Sequence, residues 1–445
     1  MTRWLLAFQA CNSCNFTIAL GAPLVLTARH LGANEFHIGI MSALPIMLTA
    51  LQLFATNLVD RLGYRRLMLM GWSARSFMLL LISPLPFLVG KVPSEYLVWG
   101  MILPIMGFSA IRGFASGAWL PWLSAVLPPS QRGNYLGREQ RTMNLGTFAT
   151  LLLSGWFLGT NPSNWQYALL FVFAWMAGMA SVYFLRKTDD TPPTARQGEP
   201  RRGIAELLRG VRRTWRHTPF RRTMHFIFVY TLALSAFPAF LVLFVKEELH
   251  FKEGEVLVVQ AANAVGVFIT AVYWGMLSDR SGSRPLLRIA DIGMIIIVLY
   301  WIAAAFNFHT PTFIEAAVAY VLWGACAAAH AVAQVRLVLG CYPKRELLVG
   351  TAVFQVIASV SGGIAPLLTG WILMKLRSGD AMTPGAGRSA FVVVFALSLA
   401  LALLSQILLS RVPEMKAIRT HKLLMQVIYD WPIKVLSGMN SNTRK

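Results

Sequence analysis

Gly275-Met-Leu-Ser-Asp279-Arg280-Ser-Gly282-Ser-Arg284 is a short polar turn between two long apolar segments. An earlier copy, Asn57-Leu-Val-Asp60-Arg61-Leu-Gly63-Tyr-Arg65-Arg66, occupies the same position between two other apolar segments. The distance along the sequence from Asp60 to Asp279 is close to half of the chain. The repeated turn therefore predicts two similar halves.

The composition is typical of a membrane protein. Apolar residues make up 56% of the chain and charged residues only 13%, which excludes an ordinary soluble protein of this length. Apolar stretches of about 20 residues recur, and each is long enough to cross about 30 Å of hydrocarbon as a helix. A backbone in lipid must satisfy its own hydrogen bonds, and these runs lack the alternation of barrel strands. We predict an all-α membrane protein.

Twelve spans are predicted along the chain. They cover about residues 4–27, 36–58, 67–89, 96–127, 136–159, 165–186, 223–246, 254–277, 286–306, 312–340, 347–375 and 389–411. The one long hydrophilic segment follows the sixth span. The predicted domains are a six-helix bundle at 1–186, a basic cytoplasmic linker at 187–222, a second six-helix bundle at 223–411 and a cytoplasmic tail at 412–445.

A second repeated motif supports the division into halves. Leu152-Leu-Ser-Gly155-Trp156, near the end of the fifth span, matches Leu367-Leu-Thr-Gly370-Trp371, near the end of the eleventh. The offset between these two copies is close to the offset between the two turns. Two matched motifs at nearly equal offsets indicate a parallel internal repeat about an axis along the membrane normal.

The distribution of basic residues predicts the orientation. The formal net charge of +21 would suggest a nucleic-acid partner in a soluble protein. If the chain begins in the cytoplasm, the cytoplasmic segments hold 30 of the 40 lysines and arginines, and the opposite segments hold 7. The other three, Arg75, Arg112 and Arg336, fall inside spans. This asymmetry predicts a bacterial cytoplasmic membrane protein with both termini in the cytoplasm and no nucleic-acid partner.

The hydrophilic linker contains an amphipathic pattern. Apolar residues at 204, 207, 208, 211 and 215 recur at helical spacing and alternate with arginines at 209, 212, 213 and 216. We predict a helix that lies on the anionic inner leaflet and contacts lipid headgroups. A calmodulin-type target or a nucleic-acid arm has the same composition.

The paired turns resemble the signature of the major facilitator superfamily of transporters. That signature, G-x-x-x-D-R-x-G-R-R, lies between the second and third spans, and a weaker copy lies between the eighth and ninth. Here the second copy keeps its glycine, aspartate, arginine and glycine positions, whereas in the first copy Thr56 replaces the leading glycine and Tyr64 the first basic residue. The resemblance covers about residues 4–411 and implies two six-helix halves that work by alternating access.

The turns have two interpretations. As topology anchors, their aspartates cap helices, and their glycines permit a sharp reversal of the backbone. The resemblance implies instead a charge latch that stabilises the state closed to the cytoplasm. The residues assigned to cytoplasmic gating are Asp60, Arg61, Gly63, Arg65, Gly275, Asp279, Arg280, Gly282 and Arg284.

Polar residues within the spans are the candidates for solute binding, because unpaired polar groups are costly in a membrane. The resemblance implies that spans one, four, seven and ten line the cavity, and all but the seventh carry conspicuous polar residues. The predicted cavity residues are Gln9, Asn12 and Asn15 of span one, Arg112, Ser116 and Trp119 of span four, and His330 and Gln334 of span ten.

Arg112 is the main candidate in this set. A central arginine costs about 2.5 to 3.5 kcal/mol to insert and needs an anion, carbonyl groups or water. It either faces the cavity or serves as a structural partner within the bundle. His330 follows it by nearly the offset of the repeat and is a candidate for its counterpart, although a buried histidine is often a packing residue.

Three acidic residues are candidates for ion coupling, namely Asp291, Glu139 and Glu315. Each also has an interpretation as a charge at a helix start. A cavity with arginine and histidine but no central acid favours an anionic or polar neutral solute over an organic cation.

The predicted function is secondary active or facilitative transport of a small polar or anionic organic solute. The alternative is a proton-coupled multidrug efflux antiporter, although the R-x-x-x-G motif of that class has its glycine one place late at Gly117 and G-P-x-x-G-G is missing. A non-transporting receptor or an intramembrane enzyme also stays open. The predicted partners are a solute, a co-transported proton or sodium ion, and lipids.

No metal-ligand cluster or nucleophile motif occurs in the sequence, so we predict no enzyme, cofactor or metal site. Cys11 and Cys14 form a C-x-x-C inside the first span, where two small residues at a packed helix interface are expected. We expect a monomer.

Overall fold

The computed structural model describes residues 2–54, 59, 62–127, 129–188, 204–342, 347–379, 386–413 and 423. These residues form helices joined by short loops and no strand, which confirms the predicted all-α class. We refer to residues 2–188 as the N-terminal half and to residues 204–413 as the C-terminal half.

The helix bounds follow the predicted spans closely. The N-terminal half contains Thr2–Leu20, Ala22–His30, Glu35–Met47, Tyr64–Leu80, Ser94–Ser116, Trp119–Val126, Pro129–Leu158 and Asn164–Arg186, with 3₁₀ turns at Leu48–Phe54 and Leu85–Leu88. The C-terminal half contains Ile204–Arg216, Thr218–Leu234, Phe237–Glu247, Glu253–Ser281, Ser283–Ala305, Phe313–Cys341, Leu347–Gly379 and Ala386–Ser410.

Ten helical segments of the described chain are long and apolar enough to cross a membrane. The predicted second and fifth spans are not among the ten. The second continues past Met47 as a 3₁₀ turn, and the fifth carries Arg138, Glu139 and Arg141 in its first half. Both pack within the same helical bundle, which has the predicted twelve-span architecture. We number these spans one to twelve in chain order.

Three spans are each divided into two α-helices, where continuous helices were predicted, and the predicted third span, 67–89, ends its α-helix at Leu80 and continues to a 3₁₀ turn at Leu85–Leu88. Span one breaks at Gly21, span four between Ser116 and Trp119, and span seven between Leu234 and Phe237. Pro23 follows the first break, and Pro238 follows the third. The offset along the sequence from Pro23 to Pro238 equals the offset from Gly155 to Gly370. Proline lacks an amide hydrogen and clashes with the preceding turn, so it occurs in the first turn of the new helix. Spans one and seven are thus interrupted at equivalent positions.

The glycines of the two turns share one backbone conformation. Gly63 has φ 76° and ψ 161°, and Gly282 has φ 88° and ψ 166°. Only glycine adopts this region readily, because a β-carbon would clash with the backbone. The prediction that these glycines permit the reversal is confirmed.

The arginines after each turn also bind equivalent groups. Arg65 donates a hydrogen bond to the carbonyl oxygen of Arg186, and Arg284 donates one to the carbonyl oxygen of Ser410. Each carbonyl ends the sixth span of its own half. These arginines therefore hold the turn to the end of the bundle. Gly275 lies inside a helix, with open space where a β-carbon would be.

The charged centre of the predicted latch falls on residues that are not described. Asp60 and Arg61 lie outside the described residues. Asp279 and Arg280 belong to the last turn of Glu253–Ser281, and their side chains are also outside the described set. A charge latch at these positions stays a prediction.

The apolar cores differ between the two ends of the bundle. We call the end that carries Gly63 and Gly282 the turn face, and the other end the opposite face. One core joins both halves toward the opposite face and includes Phe171 and Phe244. Toward the turn face there are two cores, one in the N-terminal half around Trp122 and one in the C-terminal half around Phe220. The two halves share one apolar core at the opposite face, whereas each half has a core of its own at the turn face.

The linker contains the predicted helix, at Ile204–Arg216. Span seven follows almost at once from Thr218, somewhat before the predicted start at 223. Contact of this helix with a membrane surface stays a prediction, and most of the tail at 412–445 lies outside the described residues.

Candidate transport cavity

A cavity of about 600 Å³ lies between the two halves. We call it the transport cavity. The breaks in spans one and seven both reach it, since Gly21 and Ala22 line it from span one, and Ser235 and Pro238 line it from span seven. Its polar lining residues are Ser42, Thr49, Arg112, Thr231, Ser235, Gln260, Gln334, Gln355 and Ser359.

The break in span one is bound by the other half of the protein. The backbone amide of Ala22 donates a 3.2 Å hydrogen bond to Gln260 Oε1 of span eight. At the break in span seven, Ser235 Oγ donates a 3.1 Å bond to the carbonyl oxygen of Gly362 in span eleven. Helix ends leave backbone groups without intrahelical partners, and Gln260 satisfies one of them at the span-one break. At the span-seven break, the bond to the other span comes from the Ser235 side chain.

Arg112 lines the cavity and is also held by span two. It donates to the carbonyl oxygen of Pro45 and, at 2.7 Å, to Thr49 Oγ1. Its guanidinium carbon lies 5.8 Å from the centre of the Phe16 ring. The two interpretations of Arg112 are therefore compatible, because its partners fix the side chain beside the cavity. Among the lining residues, it is the only lysine, arginine, aspartate or glutamate.

Gln9 and Asn12 form a buried polar chain instead of lining this cavity. Gln9 donates to Glu139 Oε1, Asn12 Nδ2 donates to Gln9 Oε1 at 3.3 Å, and Arg75 donates to Asn12 Oδ1. The four side chains are between 1% and 7% exposed. Two neutral amides thus join a buried carboxylate to a buried guanidinium, which keeps both charges hydrogen-bonded.

Three other predicted cavity residues also lie elsewhere. Asn15 donates a 2.8 Å hydrogen bond to the carbonyl oxygen of Ala174 and is fully buried. Ser116 donates to the carbonyl oxygen of Gly113 in its own helix. Trp119 follows the break in span four, so the prediction that it shares one helix with Arg112 is wrong. It packs in an aromatic cluster, with its ring centroid 5.1 Å from that of Phe8.

His330 lies directly behind the cavity wall. Its Nε2 is 2.9 Å from Gln334 Oε1, and its Nδ1 is 2.6 Å from Asp291 Oδ1. Gln406 of span twelve donates a 2.9 Å hydrogen bond to Asp291 Oδ2. The Tyr230 ring stacks on the imidazole, with centroids 3.7 Å apart and planes within 6°. Of this group, Gln334 is the member that lines the cavity.

The three acidic candidates have different surroundings. Glu315 lies in a capping box with Thr312, and its carboxylate accepts from the Thr312 backbone at 2.7 Å, which fits a charge at a helix start. Glu139 lies well inside Pro129–Leu158, and Asp291 lies more than two turns into its helix. Both are buried and hydrogen-bonded across spans. Their interpretation as helix-start charges is wrong.

A network of ion pairs joins the halves at the opposite face. Arg377 of span eleven lies 2.7 Å from Glu35 of span two, 2.5 Å from Glu247 and 2.8 Å from Glu248. Arg29 of span one contacts Glu35 at 3.2 Å and also pairs with Glu247. Sequence reasoning missed this network because its partners are far apart along the chain. The sequence signal for this network is the position of these charged residues at the ends of their spans.

Two pairs of glycines bring the halves into backbone contact at the same face. A β-carbon on Gly370 would lie 2.5 Å from the Glu35 carbonyl oxygen and 3.2 Å from Gly39 Cα. A β-carbon on Gly254 would lie 2.6 Å from the carbonyl oxygen of Gly155. Gly254 follows Gly39 by the same offset as Gly370 follows Gly155. The repeated motif at Gly155 and Gly370 therefore lies at the interface between the halves.

Comparison with known proteins agrees with this architecture. The profile of the Major Facilitator Superfamily matches residues 5–259 and 223–423. The chain belongs to the Major Facilitator Superfamily. It is therefore an integral, multi-pass membrane protein of a transporter family. No curated protein sequence matches it.

Solved structures of this superfamily share the fold at low sequence identity. A variant of the nucleoside transporter NupG has a TM-score of 0.72 at 13% identity, covering 92% of this chain and 98% of its own. A D-xylose–proton symporter has a TM-score of 0.70 at 16% identity, covering 93% and 98%. A bacterial homologue of the human lysosomal transporter Spinster, inward-facing and occupied, has 0.65 at 15% identity, covering 91% and 95%. These similarities establish the fold alone.

Within the described residues, no group of three or more histidine, cysteine, aspartate or glutamate side chains is arranged to hold a metal ion. The cysteines are free thiols, and Cys11 and Cys14 are half-buried in span one. Redox or metal chemistry at this pair has no support from its surroundings.

Proposed function

We propose that this transporter moves a small polar or anionic organic solute by alternating access through the transport cavity. The observation that carries the proposal is the position of Arg112, whose guanidinium is the one charged group in a lining of hydroxyls, amides and apolar side chains. A guanidinium favours carboxylate or phosphate oxygens, which accept two parallel hydrogen bonds.

The size and polarity of the cavity support the same class of solute. A volume of about 600 Å³ falls within the range of sites that enclose small organic molecules. Besides the amides, five lining residues of spans two, seven and eleven carry hydroxyl groups, namely Ser42, Thr49, Thr231, Ser235 and Ser359. These groups can bind the hydroxyl or carbonyl groups of a polar solute.

The helix breaks support a site at this depth. In transporters with internal repeats, interrupted helices at corresponding positions of the two halves mark the solute site. Here the breaks at Gly21 and Ser235 both reach the cavity. Gln260, which binds the Ala22 amide at the first break, and Ser235 at the second are both lining residues.

We place the turn face in the cytoplasm, because it carries the excess of lysine and arginine. With this orientation, the ion pairs and glycine contacts close the external side, and the separated cores correspond to a state open to the cytoplasm. Transport then requires the halves to separate at the opposite face and close at the turn face.

The test is flux into proteoliposomes that contain the purified full-length protein. The panel comprises radiolabelled monocarboxylates, dicarboxylates, amino acids, sugars and nucleosides, together with lipophilic cations, each with and without an imposed pH gradient. We expect uptake of an anionic or polar member. Exclusive movement of lipophilic cations would favour multidrug efflux and overturn the proposal.

Arg112→Ala and Arg112→Lys test the assigned residue. A hydrogen bond to a charged group contributes about 1.5 to 3 kcal/mol, so Arg112→Ala should reduce the affinity for the solute about 10- to 100-fold. Arg112→Lys keeps the charge but not the paired donors and should have an intermediate effect. Lys91→Ala, in an exposed loop of the same half, is the matched control. Equal affinity in all four proteins would contradict the role of Arg112.

A further inference from the structure

A second, smaller cavity of about 250 Å³ lies beside the transport cavity. We call it the side cavity. Residues of spans one, five and eight line it, so it lies between the N-terminal and C-terminal halves. It shares Leu20, Gly21 and Gln260 with the transport cavity. A solute in the transport cavity can therefore extend past these three residues into the side cavity.

The side cavity is a gap between spans five and eight next to their closest contact. The two spans touch where a β-carbon on Gly254 would lie 2.6 Å from the carbonyl oxygen of Gly155. One turn before Gly155, Leu151 lines the side cavity, and Asn263 and Ala264 line it from span eight. The gap therefore lies on the turn-face side of the glycine contact.

Most polar side chains of the side cavity are bound to other protein groups. Thr17 Oγ1 donates a 2.7 Å hydrogen bond to the carbonyl oxygen of Ser13 and lies 3.2 Å from Thr147 Oγ1. Gln260 Oε1 accepts the hydrogen bond from the Ala22 amide. No lysine, arginine, aspartate or glutamate occurs among the described residues that line this cavity. These groups therefore offer little to a charged or strongly polar part of a solute.

The remaining polar residue, Asn263, directs its Oδ1 oxygen toward span ten. A β-carbon on Gly324 of span ten would lie 2.8 Å from this oxygen, which is buried and has no hydrogen-bond partner among the described residues. The other lining residues are Phe16, Leu20, Gly21, Leu151 and Ala264. Because burial of a polar group without a partner is costly, the side cavity is better suited to an apolar group.

Phe16 connects the side cavity with the charged end of the solute site. It lines the side cavity, and the centre of its ring lies 5.8 Å from the guanidinium carbon of Arg112. Arg112 itself lines the transport cavity. A single molecule can thus hold an acidic group at Arg112 and an apolar chain in the side cavity.

We propose that the side cavity binds a hydrocarbon chain of the solute, so that the solute is an amphiphilic organic anion whose acidic group binds Arg112. This inference rests on the proposed function and narrows its class of solute. A chain in the side cavity is removed from water, and the gain in affinity is proportional to the apolar area buried. The chain would contact spans one and five of one half and span eight of the other.

The test compares water-soluble, straight-chain carboxylates of increasing length. The full-length protein in lipid nanodiscs is titrated with ¹⁴C-labelled octanoate in a scintillation proximity assay, and unlabelled butyrate, hexanoate and octanoate compete for binding. Counts from empty nanodiscs are subtracted to remove partition into lipid. Burial of one CH₂ group raises affinity about fourfold, so octanoate should bind on the order of 100-fold more tightly than butyrate.

Two substitutions fill the side cavity without changing Arg112. Leu151→Phe and Ala264→Leu add carbon atoms at lining positions that are 4% and 5% exposed. Either variant should reduce the preference for octanoate over butyrate at least tenfold and leave the affinity for butyrate nearly unchanged. Leu153→Phe is the matched control, because this side chain is 60% exposed on the same helix as Leu151 and does not line the cavity. It should keep the full preference.

A photoreactive probe locates the chain without any substitution. A straight-chain acid of the length of octanoate, with a diazirine at the far end of its chain, is irradiated with the protein, and mass spectrometry identifies the labelled peptides. We expect label near Thr17, Leu151 and Ala264, and we expect excess octanoate to remove it.

Equal affinities for butyrate and octanoate would overturn the proposal. A preference for octanoate that both filled variants retain, or a label confined to other spans, would also overturn it. If neither variant folds, the position of the label decides. The two proposals fail separately. Binding that Arg112→Ala leaves unchanged contradicts the role of Arg112 in the proposed function, whereas a missing chain-length effect with the Arg112 effect retained contradicts the side cavity alone.

Discussion

A single added methyl group at Gly155 or Gly370 is expected to open the opposite face. A β-carbon at Gly155 would lie 2.9 Å from the carbonyl oxygen of Gly254, and one at Gly370 would lie 2.5 Å from that of Glu35. Non-bonded heavy atoms normally sit about 3.5 Å or more apart. The halves must therefore separate by about 0.5 to 1 Å at each contact. The strain exists only while this face is closed.

The magnitude follows from the cost of overpacking. Inserting a methyl group into a close-packed contact costs about 1 to 3 kcal/mol. Because the cost falls on one conformation, it shifts the ratio of closed to open states about 5- to 150-fold. The two glycine contacts share no residue, so a Gly155→Ala, Gly370→Ala double variant should show nearly additive shifts in free energy.

The assay is a distance measurement across the opposite face. In a variant lacking the four native cysteines, nitroxide labels at Lys91→Cys and Phe308→Cys place one probe on an exposed loop of each half. Pulsed electron paramagnetic resonance then reports the distribution of distances in nanodiscs. We expect Gly155→Ala to increase the population at longer distances.

Gly137→Ala provides the control on the same helix as Gly155. A β-carbon at Gly137 meets no atom within 4 Å, so this substitution changes helix propensity without touching the other half. Identical distance distributions for the Gly137 and Gly155 variants would refute the argument that glycine permits closure.

Two further predictions concern the ends of the bundle. Arg377→Ala should destabilise the closed opposite face by about 1 to 3 kcal/mol, because it leaves three glutamates close together. The effect is smaller than for a fully buried ion pair because these side chains are partly exposed to water. The same label pair should report longer distances, and Lys375→Ala, exposed on the same helix, should not. Asp279→Asn should impair transport more than Asp60→Asn, since the second turn keeps more of the superfamily pattern. Initial uptake rates at equal protein density compare the two, and the reverse order would refute this prediction.

Much of the architecture is predictable because lipid limits the options for the backbone. Long apolar runs must become helices, and the offset between the motifs at Gly155 and Gly370 reveals the duplication. The positive φ of Gly63 and Gly282 was also predictable, because a sharp reversal between two helices needs a residue without a β-carbon. Local sequence determines these features.

The breaks in spans one and seven were not predictable from hydropathy. Gly21 and Ser235 interrupt helices without interrupting apolar character, so the hydrophobic runs appear continuous. The proline shortly after each break is the sequence feature that could have predicted it. Gln260 and Gln355 line the cavity from spans eight and eleven, outside the four spans that the superfamily resemblance implied.

The pairing of side chains across distant spans was the second feature that the sequence did not predict. The polar face of span one suggested solute binding, but Gln9 and Asn12 connect Glu139 with Arg75. A polar residue in a span must be satisfied, and sequence alone does not reveal whether a solute or another span satisfies it. Arg112 and Gln334 reach the cavity because their spans face the other half there.

The interruption of spans one and seven at matching positions has a consequence for the cargo. Duplication gave each half the same bent scaffold, but the copies have since acquired different chemistry, with a guanidinium from Arg112 in one half and the amides of Gln334 and Gln355 in the other. A solute with two identical ends would contact a guanidinium at one end and amides at the other. If the proposed function holds, the site should prefer a molecule whose two ends differ, with its acidic group beside Arg112.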